Sequence, residues 1–250
     1  MSKIPVSVAI ITKNEARNIR DALESVKDFD DIVVVDEFSS DNTIDICREY
    51  TERVYEHEWQ GYAGQKQIAI DHAKNDWVLI LDSDERVTRE LKQEIIEKVK
   101  ENSLSGFYIP RKNFFLGKWI RHSGWWPDHT LRLFRKDVSK MGPRAVHEKV
   151  NVNGPVGRIR APFEHYTYRT ISDYIGKMDK YASLSAEELG NRGFISSFIS
   201  MLFSPMAVFI KMYLLRQGFR DGIHGFVLAV FYSFYTFLKY AKALERKGGF

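Results

Sequence analysis

The residues best suited to chemistry are acids set directly behind apolar runs. Asp82-Ser83-Asp84 follows Val78-Leu79-Ile80-Leu81. Two carboxylates one residue apart, at the end of a buried strand, can bind a divalent cation through oxygen. Mg2+ and Mn2+ accept few protein carboxylates and take the phosphates of a substrate as further ligands. The same triplet can also do no more than cap the helix behind it. Two further polar clusters stand at the ends of apolar runs: Thr12-Lys13-Asn14-Glu15, and Asp36-Glu37-Phe38-Ser39 after Ile32-Val33-Val34-Val35. If the three runs are neighbouring parallel strands, one edge of a sheet collects all three clusters.

The elements that must position these clusters are legible. Val6 to Thr12, Ile32 to Val35 and Trp77 to Leu81 are continuous apolar runs, as expected of strands buried on both faces. A short strand is predicted near Val54. Helical spacing is predicted over Asn14–Lys27 (Ile19, Leu23, Val26), about Tyr62–Lys74, and about Thr88–Lys100 (Leu91, Ile95, Val99). Strands alternating with helices imply a doubly wound α/β fold, mostly parallel, with ligands at the carboxyl ends of the strands. From about Gly106 to His165 short strands and loops carry Trp119, Trp125, Trp126, Arg132 and Arg135, which suits an acceptor pocket. The expected division is therefore 1–105 for a donor-binding half, 106–170 for an acceptor-side half, and 171–250 for a helical C-terminal region.

The chain has 250 residues, enough for one α/β domain and a smaller appendage. The single cysteine, Cys47, excludes an internal disulfide framework and reads as a small core residue of a helix. The first apolar run, about seven residues, is too short for a signal-peptide core and reads as a cytosolic first strand. Net charge is only +4, yet residues 192–250 hold eight Lys and Arg against Asp221 and Glu245. There the cations flank two apolar segments, Gly193–Ile210 and Gly222–Leu238, rather than lying among polar residues. That pattern points to a membrane surface and not to nucleic acid. In-plane, spanning and soluble helical arrangements, including a dimer surface, all remain compatible with these segments.

Val8-Ala9-Ile10-Ile11-Thr12-Lys13-Asn14-Glu15, residues 33–43 (VVVDEFSSDNT) and Leu79-Ile80-Leu81-Asp82-Ser83-Asp84-Glu85 together resemble the signature blocks of the family-2 inverting glycosyltransferases. Residues 125–135, 145–148 and 165–169 resemble a narrower branch containing lipopolysaccharide core glucosyltransferases. The resemblance implies a GT-A fold, Rossmann-like with helices flanking a mostly parallel sheet, here extended by a membrane-associating helical appendage. It implies a UDP-sugar donor, a divalent cation (Mg2+ or Mn2+), and a lipid-linked glycan acceptor of the lipopolysaccharide core or polyprenyl-diphosphate type. It also implies work at the cytoplasmic face of a bacterial inner membrane. By the same resemblance Thr12, Asn14 and Glu15 line base and ribose, Asp36 and Glu37 contact uracil, and Lys66 faces the donor phosphates. Asp82 contacts ribose or metal-bound water, and Asp84 binds the metal. Phe38 stands where such proteins often have a glycine.

An inverting transfer is a single displacement, so a base must take the acceptor hydroxyl proton. The candidates are Asp128 and Glu148. His147 and His165 are candidate metal ligands or phosphate donors. Arg132 and Arg135 can face phosphates, but three residues apart on a strand they point to opposite sides, so only one is expected to do so. Trp125 and Trp126 can stack on a sugar or fill the core. A nucleotidyltransferase is the second enzyme class, although its Gly-rich phosphate loop is missing after the first strand. A non-catalytic membrane scaffold is the third reading, and the intact Asp36, Asp82 and Asp84 argue against it.

Overall fold

The computed structural model describes residues 3–142, 149–190 and 193–248. The chain forms two compact units: residues up to Arg111 with His129–His165, and Lys112–Asp128 with Tyr166 onward.

The first unit is built on β1 (Ile4–Thr12), β2 (Phe29–Asp36), β3 (Val54–Glu56), β4 (Trp77–Asp82) and β5 (Glu85–Val87), with helices α1 (Ile19–Val26), α2 (Thr43–Arg48), α3 (Gly61–Asp71) and α4 (Arg89–Glu101). The later strands are β6 (Gly106–Phe115), β7 (Lys118–Trp119), β8 (Asp128–Arg135), β9 (Ser139–Met141), β10 (Val150–Val152), β11 (Val156–Arg158) and β12 (Phe163–Tyr168). The main sheet runs β3-β2-β1-β4-β8-β6-β12-β5. β1 is parallel to both β2 and β4, while β8 lies antiparallel to β4 and β12 antiparallel to β5. The fold is thus the expected mixed α/β sheet, mostly parallel in its first half.

Both faces of β1 are covered, which is why its sequence is apolar apart from Ser7, whose buried hydroxyl donates to Asp31 at 2.6 Å, and the terminal Thr12. Val6, Val8 and Ile10 pack in one layer with Ile19 and Leu23 of α1 and Leu91 and Ile95 of α4. Ala9 packs in the other with Ala69 and Ile70 of α3. Alternate residues of a strand point to opposite faces, so one strand serves two layers. Cys47 lies in the first layer, where burial pushes its thiol up to about 12. It is a packing residue, as its position predicted.

Two helix starts differ from or refine the expected ones. α1 begins at Ile19 rather than Asn14, because Asn14 adopts φ +53, a left-handed conformation that a helix cannot continue through. α4 begins where the Thr88 hydroxyl accepts from the Leu91 N–H at 3.1 Å, and it stops at Asn102, also left-handed at φ +45.

The second unit is helical. α5 (Ile171–Glu188) opens on a reciprocal capping box between Thr170 and Asp173. α6 (Phe194–Phe209) runs on through a π-helical turn to Leu215, and α7 spans Ile223–Glu245. Its core contains Phe115, Ile120, Trp125, Tyr174, Met178 and Leu228. Trp125 is therefore a core residue. α6 buries only Ser197 and Met201. Ile195, Phe203 and Leu215 are 74%, 68% and 75% exposed, and α7 adds Ile223, Phe226 and Phe234 to the exposed apolar set. Among the described residues one helix, Phe194–Leu215, is long and apolar enough to cross a membrane.

Candidate functional site

The strand order reverses beside β1: the chain passes outward to β2 and β3, then returns to place β4 on the other side. Loops leaving the carboxyl ends of β1 and β4 must therefore diverge, which opens a crevice there. The register puts Thr12 opposite Asp36 and Ile11 opposite Asp82. All three polar clusters of the sequence thus meet at one edge.

The first two clusters form a shaped loop pair. Asp36 is fully buried, and its two carboxylate oxygens accept from the backbone N–H and the hydroxyl of Ser39, both at 2.6 Å. Asp36 accordingly fixes the turn that follows it. Asn14 ties in the other strand end, its N–H donating to Ser39 Oγ at 2.7 Å and its Oδ1 accepting the Ser40 N–H at 2.8 Å. The Glu15 N–H donates to Thr43 Oγ1 at 2.8 Å. Glu37 lies 3.4 Å from Lys13. Phe38 has φ +50, the left-handed region where glycine is the easy occupant, and its ring is 53% exposed.

The third cluster is a charge network. Asp82 receives Lys66 Nζ on Oδ1 at 3.0 Å and the Arg132 guanidinium on Oδ2. Lys66 and Arg132 are each almost wholly buried, while 27% of the Asp82 side chain reaches solvent. Burial alone would raise the Asp82 carboxyl. Arg132 and Lys66 outweigh it and hold the group well below the usual carboxylate range. Arg132 also donates to Glu85 at 3.1 Å. Glu85 is fully buried; it accepts the Asp82 N–H at 3.0 Å and lies 3.8 Å from Arg111. Arg86 braces the same turn, donating to the carbonyls of Ser83 at 3.0 Å and Asn18 at 2.8 Å.

Of the two arginines on β8, Arg132 joins the site and Arg135 pairs with Asp137 at 2.9 Å on the surface, as their spacing predicted. Glu85, Arg86 and Arg111 received no role from the sequence. A charged residue behind an acidic turn reads as solvated until its burial is known.

Asp84 lies two residues beyond Asp82 and faces His165. Its Oδ1 is 3.4 Å from His165 Nε2, and both side chains are only about an eighth exposed. The antiparallel pairing of β12 with β5 sets His165 opposite Glu85, and so beside Asp84. One carboxylate and one imidazole suit Mn2+ or Mg2+ when diphosphate oxygens and water complete the shell. The donor set fits a catalytic cation, although the described residues contain no cluster of three His, Cys, Asp or Glu. His147 and Glu148 fall outside the described residues.

Asp128 belongs to the second unit, where Asn113 Nδ2 lies 3.2 Å from its Oδ2 and also donates to the Trp125 carbonyl at 3.2 Å. Trp126 is half-buried and meets Trp119 edge-on at 5.3 Å.

Residues 7–167 match the model of glycosyl transferase family 2. The chain is 29% identical to a lipopolysaccharide core biosynthesis glycosyltransferase, LpsC, of Rhizobium meliloti, over 98% of this chain and 93% of that protein. An uncharacterized glycosyltransferase of Rickettsia bellii is 30% identical over 96% of this chain and 86% of its own length. Among solved structures, S. aureus TarS 1-349 in complex with UDP-GlcNAc aligns with a TM-score of 0.50 at 14% identity, covering 97% of this chain and 92% of that one. The fold is GT-A, and the chain is a glycosyltransferase belonging to glycosyl transferase family 2.

Proposed function

We propose that this glycosyltransferase moves a hexose, glucose from a UDP-sugar, to a lipopolysaccharide-core or related lipid-linked glycan, with inversion, at the cytoplasmic face of the inner membrane. The observation that carries the reading is the acidic turn at the crevice. Asp82 is neutralised by two buried cations, and Asp84, two residues on, lies 3.4 Å from His165.

In this reading Thr12, Asn14, Glu15 and Glu37 line the nucleoside pocket, whose wall Asp36 shapes through Ser39. Asp84 and His165 hold Mg2+ or Mn2+, with His147 a further candidate ligand. The cation, when bound, neutralises charge on the departing diphosphate. Lys66 and Arg132 add a fixed positive field on the same side, and Asp82 keeps that field from repelling itself before the donor arrives. Asp128 takes the proton of the acceptor hydroxyl as its oxygen attacks the anomeric carbon; Glu148 is the alternative base. The exposed apolar faces of α6 and α7 lie on the membrane, so residues 192–250 bring the enzyme to a lipid-linked acceptor.

The decisive experiment is a donor panel of UDP-, GDP- and CMP-sugars with Mn2+ and membrane extract as acceptor, reading nucleotide release. Release from a UDP-hexose alone is the expected outcome. No release or binding with any donor refutes the proposal.

A further inference from the structure

The turn between α6 and α7 has two unlike sides. Inward it is sewn to residues 116–124, a loop of the same unit. The Asp221 carboxylate, almost wholly buried, accepts the backbone N–H groups of Arg121 at 3.3 Å and His122 at 2.9 Å, and lies 3.1 Å from His122 Nδ1. Lys118 donates to the Asp221 carbonyl at 2.8 Å, and the Ser123 N–H to the Arg216 carbonyl at 2.9 Å. The two segments are so close that a Cβ on Gly218 would collide with the Ser123 hydroxyl. Leu116, Ser123 and Gln217 hold φ +49, +58 and +55, conformations that persist in such residues only where their surroundings fix them. Close packing makes a junction of this kind move as one piece. Its far end reaches Asp128, because Asn113 Nδ2 lies 3.2 Å from both the Trp125 carbonyl and the Asp128 carboxylate. Outward the turn is apolar and basic. Leu214, Leu215, Phe219 and Ile223 are 52%, 75%, 50% and 68% exposed. Lys211, Arg216 and Arg220 are exposed among them in the chain, Arg220 donating to the Gln217 side chain at 2.8 Å. The only acid between Leu189 and Leu244 is Asp221, and it is spent on the inner side.

We propose that this turn seats on a lipid surface bearing anionic headgroups, and that Asp221 passes the seating on to residues 116–128. The proposal rests on the membrane reading of α6 and α7, and adds to it the headgroup charge and the route to Asp128. Apolar side chains enter the boundary between headgroups and acyl chains, while Lys and Arg lay their stems along it and keep their charges at the phosphates. A surface that immobilises the outer side of a rigid junction also removes freedom from its inner side. Asp221 is thus a positioning residue: it touches no substrate and acts through the backbone of Arg121 and His122.

The test adds vesicles to the full chain and reads partition and tryptophan emission together. Three of the five tryptophans, Trp119, Trp125 and Trp126, lie within residues 116–128, so quenching by acrylamide follows that segment. Wild-type protein should partition onto phosphatidylglycerol–phosphatidylcholine vesicles at least about 10-fold more strongly than onto phosphatidylcholine alone, and quenching should fall as it binds. Asp221→Asn, confirmed folded by circular dichroism, should partition like wild type without the fall in quenching. Leu215→Glu with Ile223→Glu keeps the junction, and should lose partition and keep the quenching of lipid-free protein. Hydrogen exchange of wild-type protein reads the same effect without a variant: residues 116–128 should exchange more slowly on vesicles. Unchanged exchange, or a folded Asp221→Asn protein that shows the wild-type fall in quenching, overturns the coupling; the latter is what tryptophans dipping into lipid directly would give. Equal partition onto both vesicles overturns the anionic headgroup. Wild-type protein that partitions onto neither overturns the membrane reading and the coupling with it, an outcome distinct from binding without a response in the loop.

Discussion

Replacing Arg132 by methionine tests the charge network beneath the acidic turn. One guanidinium serves two carboxylates there, Asp82 and Glu85. Asp82 keeps Lys66 at 3.0 Å and has partial solvent access, so it loses little. Glu85 is fully buried and keeps the Asp82 N–H at 3.0 Å, but Arg111 at 3.8 Å is beyond hydrogen-bond range, so its charge loses its close cation. Removing one partner of a buried pair costs about 3–5 kcal/mol, because an uncompensated charge stays behind. Methionine refills much of the space, so packing adds little to that cost. Each kcal/mol moves the melting temperature of a protein this size by roughly 2–4 °C, so the expected fall is about 6–20 °C. Arg135→Met, which breaks only the exposed pair with Asp137, should cost about 0–1 kcal/mol and at most about 4 °C. Adding Glu85→Gln to Arg132→Met removes the stranded charge and should restore most of the loss. The assay is thermal unfolding followed by circular dichroism. An Arg132→Met protein melting within about 2 °C of wild type, or a double variant no better than the single one, refutes the reasoning.

Asp82 also sets a pH dependence. Its folded carboxyl is held below the unfolded value of about 3.9, so its contribution is present above that pH and is lost as pH falls through the folded value. Asp82→Asn should be less stable than wild type at neutral pH, and the gap measured by urea unfolding should start to narrow below about pH 4 and shrink further as the pH falls toward the folded value. Asp84→Ala should abolish Mn2+-dependent UDP binding, and His165→Ala should weaken Mn2+ at least about 10-fold by calorimetry; unchanged affinity in either removes that residue from the metal site. Asp128→Asn should spare UDP binding while lowering kcat by about 10²–10⁴, and undiminished transfer would pass the role of base to Glu148. Phe203→Glu and Leu215→Glu, both on exposed positions, should leave melting nearly unchanged. Each should reduce partition onto vesicles by on the order of 10-fold or more, since each removes about 1.5–3 kcal/mol of apolar burial; equal partition would count against membrane seating of α6.

The sequence by itself determined the alternation of the larger strands and helices in the first hundred residues, though not the short β5, together with the three polar clusters at strand ends and the apolar tail. Those are local properties: a strand covered on both faces must be apolar throughout, and the residue that leaves it must be polar where the edge opens. The spacing of Arg132 and Arg135 even told which kind of choice the strand would make, though not which arginine would face inward. Tertiary structure alone decided the partners. Glu85 looked like any acid near a helix start until its burial between Arg132 and Asp82's backbone gave it a purpose. His165 reached Asp84 only through the pairing of β12 with β5, a contact across about eighty residues that no local pattern encodes. That both carboxylate oxygens of Asp36 accept from Ser39 is likewise visible only in the folded turn. Asp221 fastens a loop a hundred residues earlier for the same reason. Sequence periodicity reports which face of an element is buried; it carries no information on which distant element does the burying, and the charge pairs of this enzyme are made there.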